Sequence, residues 1–205
     1  MTEKTFSEAL IAEWYRLNGW LVETGIPLVT DKTVMTGSRG EADIVALKNI
    51  DGRMCVEHVE VGSLPYGPQR NLDTLKDKFS DRAKNTLIRW AKRRLGDIEV
   101  DYSCRYIAAS GSKSSLKLIK ESGYSIERLS DVIQMEILPG IVAWKKKKLT
   151  GTNSLPTIPN NLWFIAFLDY LAYRGVDLHG YREMHKARAA RASPRSSRRG
   201  WNTLR

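Results

Sequence analysis

The sequence predicts an α/β domain with a mixed central sheet flanked by helices, a C-terminal helix and a basic tail. Three observations carry that prediction. Apolar residues recur at helical spacing near the N-terminus and again around residues 71–95. A strict alternation runs from Ile98 to Tyr106, and two dense apolar runs, 41–47 and 54–61, are joined by the turn dipeptide Asp51-Gly52. The resulting order of helix, three strands, long helix, strand and helix fits helices packed on a sheet.

Thr5 or Ser7 can cap the first helix, in which Phe6, Leu10, Trp14 and Leu17 recur until Gly19 ends it. A strand through Trp20–Val22, the turn-rich stretch 36–40, and strands at Glu41–Leu47 and Met54–Val61 follow. Gly62–Asn71 reads as a loop marked by Pro65, Gly67 and Pro68, and a helix from about Asn71 to Leu95 puts Lys78, Arg82, Arg89 and Arg93 on its outer side. Beyond the alternating strand, short helices are expected at Ser114–Glu121 and Ser130–Leu138, ending at Pro139-Gly140. Residues 1–144 form the expected core. Residues 145–160, with Lys145 to Lys148, read as a basic linker or loop, 161–178 as an apolar docking helix that covers the sheet or makes a dimer contact through 162–173, and 179–205 as a basic tail, disordered unless bound.

The chain has 205 residues, 42% hydrophobic and 27% charged, which suits one globular domain. The expected location is cytoplasmic or nucleoid-associated, because no apolar run is long enough to span a bilayer and the N-terminus lacks a signal-peptide pattern. Cys55 and Cys104 suggest no disulfide framework, and His58, His179 and His185 make no zinc pattern. The net charge is +10, and Arg182 to Arg205 alone contributes +7. That balance favours a polyanionic partner, with nucleic acid ahead of a membrane. Lys145, Lys146, Arg188, Arg191, Arg198 and Arg199 join the basic helix as candidate phosphate contacts; the bland alternative is a solvated face and a solubilising tail.

Carboxylates inside apolar strands ask for an explanation, since burying one costs several kcal/mol unless it is paired or binds a cation. Glu41 and Asp43 lie in GEADIVAL, and Glu57 and Glu60 in MCVEHVEVGS. Alternation places His58, Glu60 and Gly62 on one face and Glu57, Val59 and Val61 on the other. Asp43 and Glu60 on neighbouring strands would offer oxygen ligands to a hard cation such as Mg²⁺. Each residue also has a structural reading: Glu8 as a first-turn carboxylate, Glu41 as a residue of the wet strand end, Glu57 as an ion-pairing group and His58 as a satisfied core histidine.

Glu8, Gly19-Trp20, Gly40 to Ala46 and Val59 to Ser63, in that order, make residues 5–80 resemble the PD-(D/E)xK, or restriction-endonuclease-like, nuclease superfamily. The likeness is greatest to archaeal Holliday-junction resolvases and Mrr-type nucleases. The resemblance implies a metal-dependent DNA endonuclease, structure-selective or weakly sequence-selective, with Glu8, Asp43 and Glu60 as metal ligands, Mg²⁺ as cofactor and Mn²⁺ as substitute. The superfamily's lysine, two residues after the Glu, is here Gly62. Lys76, Lys78 or Gln69 from the next segment would then replace it, Lys78 ahead of Lys76 because Phe79 beside it anchors the helix. The expected partner is branched or duplex DNA, with RNA as a further option. The rival reading is a non-catalytic nucleic-acid-binding or assembly protein on a degenerate nuclease fold.

Overall fold

The computed structural model describes residues 5–30, 40–96, 98–148 and 156–174. The stretch 36–39, linker residues 149–155, and the tail with Arg188, Arg191, Arg198 and Arg199 lie outside the described residues. The chain is mixed α/β, with a five-stranded sheet flanked by helices. Helix α1 (Phe6–Leu17) precedes strands β1 (Leu21–Leu28), β2 (Gly40–Ile50) and β3 (Arg53–Leu64). Then come α2 (Pro68–Lys78), α3 (Asp81–Leu95), β4 (Val100–Gly111), α4 (Lys113–Glu121) and β5 (Ile126–Arg128). A continuous helical stretch follows, made of α5 (Leu129–Val132), a π turn (Ile133–Ile137) and α6 (Leu138–Lys148), and α7 (Trp163–Tyr173) ends the described chain.

The strands lie in sequence order. β1, β2 and β3 pair antiparallel, and β4 joins β3, and β5 joins β4, in parallel. One face of the sheet, with Ile44, Ala46, Val59 and Val61, packs on α1, α6 and α7. The other, with Val45, Leu47 and Val56, packs on Ala83, Leu87 and Ala91 of α3. Both faces are thus covered, which is why β2 and β3 read as dense apolar runs.

Four expectations change. The helix expected over 71–95 is two helices, because Ser80 accepts the Ala83 amide as the N-cap of α3 while Phe79 turns inward to meet the His58 ring edge-on at 5.0 Å. Pro139-Gly140 does not end a helix. Pro139 lies just after the π turn, within a helix that continues through it, and Gly140 lets α1 approach: a Cβ there would lie 2.0 Å from the Trp14 ring. Lys145–Lys148 is therefore the last turn of α6 rather than a loop, a place where cations complement the helix dipole. Nor is the segment before α7 wholly loose, since Ile158 and Leu162 are buried in the core.

Helix α7 docks on α1 through Ile165 and Leu168. Leu162, at its N-terminus, offers no side-chain cap. The cap comes instead from Glu13, 152 residues earlier, whose carboxylate accepts the Ile165 amide at 3.0 Å. Burial pushes the Glu13 carboxyl above its ordinary pKa, and the amides at the α7 terminus draw it part of the way back.

Candidate functional site

Asp43 on β2 and Glu60 on β3 meet across the antiparallel pair, and Lys78 reaches them from the last turn of α2. Lys78 pairs with Glu60 Oε2, its ammonium lies 4.0 Å from Asp43 Oδ1, and it also approaches the Glu41 carbonyl at 3.4 Å. Asp43 Oδ2 accepts the Val61 amide at 2.9 Å, which fixes its carboxylate against β3. Glu60 is buried, and its other oxygen lies 2.8 Å from His58 Nε2. With Glu60 ionised, Nε2 donates to it, and Nδ1 lies 3.0 Å from the Tyr102 hydroxyl. A chain of Tyr102, His58, Glu60 and Lys78 therefore runs along one face of the sheet to the cleft edge.

These groups border a cleft of about 330 Å³ lined by Asp43, Glu60, Gly62, Tyr66, Thr74, Lys78 and Tyr106, among others. Its electrostatics are unbalanced. Burial, then the charge of Glu60, pushes the Asp43 carboxyl up to about 7 against the pull of Lys78 and the Val61 amide. Burial also pushes Glu60 upward, but the hydrogen bond from His58 and the Lys78 ammonium outweigh it and hold Glu60 below the ordinary carboxylate range. Lys78 is raised, its two carboxylate neighbours overcoming the cost of burial. Two carboxylates share one ammonium, so the cluster is one positive charge short.

Of the other candidates, Glu8 sits in the first turn of α1, where its amide and carboxylate both engage the Thr5 hydroxyl, at 3.3 and 2.9 Å. It acts on Asp43 and Lys78 through its charge, not through a bond. Lys76 is exposed away from the cleft, and Gln69 donates to Asp73. Glu41 meets Lys78 through its carbonyl rather than its carboxylate. Glu57 lies on the opposite face, bonded to Tyr15 and close to Arg105. Arg82, Arg89 and Arg93 are exposed on α3, and Lys145 is paired with Asp169. Among the described residues, no group of three or more His, Cys, Asp or Glu side chains is gathered to hold a metal ion.

Two contributors escape a reading of the sequence. Tyr106 places its hydroxyl 3.3 Å from where a Cβ of residue 62 would stand, so the side chain of β4 crowds the strand position occupied by Gly62. Nothing in the sequence aligns β4 with β3 in this register. Asn71, buried at the start of α2, donates to the Tyr66 carbonyl and accepts its amide, fastening the loop that forms one wall. Ser80-Asp81, by contrast, is a legible N-cap and would have located the end of α2 and hence Lys78. Compared with known proteins, the chain matches no family model and no curated protein.

Proposed function

We propose that the chain is a metal-dependent endonuclease that hydrolyses phosphodiester bonds in DNA, built on a restriction-endonuclease-like fold. The observation that carries this reading is the meeting of Asp43, Glu60 and Lys78 at an open cleft, with one positive charge too few. Their donors are oxygens, and Mg²⁺ is commonly held by one or two carboxylates plus substrate phosphate and water, not by a full protein cage. Asp43 and Glu60 would hold the ion, with Glu8 adding negative charge nearby. When bound, Mg²⁺ polarises the phosphoryl oxygen and lowers the pKa of an attacking water.

The protein's own residues have separable roles. Glu60 is oriented by His58, which is itself held by Tyr102. Lys78 brings a permanent cation to the same edge of the cleft and takes the part that the superfamily resemblance gives to the residue at Gly62. The exposed cations of α3, Arg82, Arg89 and Arg93, favour a duplex backbone, which carries a charge about every 1.7 Å. Among the described residues no base-reading element accompanies them, which favours structure-selective or weakly sequence-selective cutting.

Nicking of supercoiled duplex and of branched DNA provides the test. Cutting is expected in Mg²⁺ or Mn²⁺ and absent in EDTA, and Asp43→Ala and Glu60→Ala are each expected to slow it by about 10³-fold, within the range for a lost catalytic group. DNA binding should persist in both variants. Strong DNA binding with no cutting under any metal would instead favour the non-catalytic module.

A further inference from the structure

Helix α7 turns Ile165 and Leu168 inward and four of its five rings outward. Ile165 and Leu168 are buried, whereas Trp163, Phe167, Tyr170 and Tyr173 are 60%, 50%, 51% and 82% exposed. Trp163, Phe167 and Tyr170 follow one another at steps of four and three, hence along one line of the helix, and Arg174 continues that line with its guanidinium 5.4 Å from the Tyr170 ring centre. At 1.5 Å per residue the steps are about 6 and 4.5 Å. The inner end of the line is braced, since Trp163 stacks on Phe164 at 3.8 Å and Phe164 meets Phe6 of α1 edge-on at 4.8 Å.

The surroundings of this line are cationic. The Lys145–Asp169 ion pair lays the end of α6 beside α7, and α6 and α7 with Arg174 hold five cations against the single acid Asp169. Lys146 and Lys148 are exposed there. We propose that this surface is a binding site for single-stranded nucleic acid, with bases stacking on Trp163, Phe167 and Tyr170 and with Lys146, Lys148 and Arg174 taking the phosphates. Stacking is indifferent to sequence because every base has a π-face, and axial steps of about 4.5 to 6 Å between these helix positions exceed the 3.4 Å rise of a stacked strand, so they suit an extended one.

Charge selects this occupant over a second copy, because two such surfaces placed together would oppose a net +4 to a net +4. A lipid surface, which takes rings as well as aliphatic side chains, is separated from it by the vesicle measurement below. The site is separate from the Asp43 cleft, and the proposal stands whether or not that cleft cuts DNA.

The test is fluorescence anisotropy of a labelled twelve-nucleotide oligothymidylate with the full chain in EDTA, so that no cleavage intervenes. Phe167→Ala and Tyr170→Ala alter half-exposed helix positions, where alanine favours the helix. Each should weaken binding about 5-fold or more, and the double variant about 30-fold, while affinity for a 20-base-pair duplex changes less than twofold. Lys146→Ala with Lys148→Ala should weaken both ligands. Unchanged oligonucleotide affinity in the double variant would overturn the proposal. It would be overturned equally if the double variant lost only a self-association visible by sedimentation, or only binding to phosphatidylserine vesicles.

Discussion

Strand β3 carries two charged clusters, one on each face, and they are alike in composition but not in setting. On one face Asp43 and Glu60 share Lys78, backed by His58 and Tyr102. On the other, Glu57, Glu127 and Glu136 surround Arg105, with the Tyr15 hydroxyl bonded to Glu57. Arg105 engages both oxygens of Glu136 and reaches Glu127 at 2.7 Å, a forked pairing that a planar guanidinium makes and an ammonium cannot. Lys78 instead bonds Glu60 and stands 4.0 Å from Asp43, beyond hydrogen-bond distance. The Asp43 cluster also borders a 330 Å³ cleft. Buried carboxylates in a strand do not by themselves mark a site, and neither does an excess of them over cations, since three surround Arg105; what sets the Asp43 cluster apart is the open space beside it.

The comparison can be broken or sharpened by substitution. The largest difference is expected from Lys78→Ala, which should lower the rate of DNA cutting by about 10²-fold, the scale of a positioned catalytic group. Lys76→Ala and Gln69→Ala should leave the rate unchanged, and equal losses at all three would detach Lys78 from the site. Next comes Arg105→Met. Removing the guanidinium strands three carboxylates, and although Glu127 and Glu136 keep access to water, unfolding by urea should show a loss of about 2 to 3 kcal/mol, with cutting by the folded fraction intact. An activity loss larger than the folded fraction explains would make the second cluster part of the site.

The smallest effect concerns pH. Burial raises the Glu57 carboxyl, against the opposing pull of Tyr15 and Arg105, so the folded chain binds a proton there more readily than the unfolded one does. Its contribution to stability therefore falls as pH rises from the ordinary carboxylate value of 4.5 through the raised folded one. In Glu57→Gln this decline should vanish, so the stability curves of the variant and the parent protein diverge across that window. Parallel curves would mean that Glu57 titrates alike in both states.

Much of this contrast is legible in the sequence, for reasons that differ by element. Period-two alternation in β3 correctly separates Glu57 from Glu60, because side-chain direction in a strand is local geometry. The order of helix, strands, helix and strand is legible because apolar spacing reports burial directly. Glu13 is a different case. A carboxylate amid Leu10, Ile11 and Leu17 signals a partner, but the partner is an amide 152 residues away, and no local pattern names it. Arg105 likewise sits in a half-polar strand as an ordinary outward residue, until the parallel β3–β4 register brings Arg105 level with Val59 and turns it toward α1. The break at Ser80 was legible in capping chemistry but masked by helical spacing that continues across it.

The central claim is that the Asp43 cluster holds a dication and the Glu57 cluster does not. Titration calorimetry with Mn²⁺ in the absence of DNA tests it most directly, using the full chain, Asp43→Ala and Glu57→Gln. The account predicts saturable binding to the parent protein, its loss in Asp43→Ala and its retention in Glu57→Gln. Saturable binding that survives in Asp43→Ala, or an absence of binding in the parent protein, would contradict it.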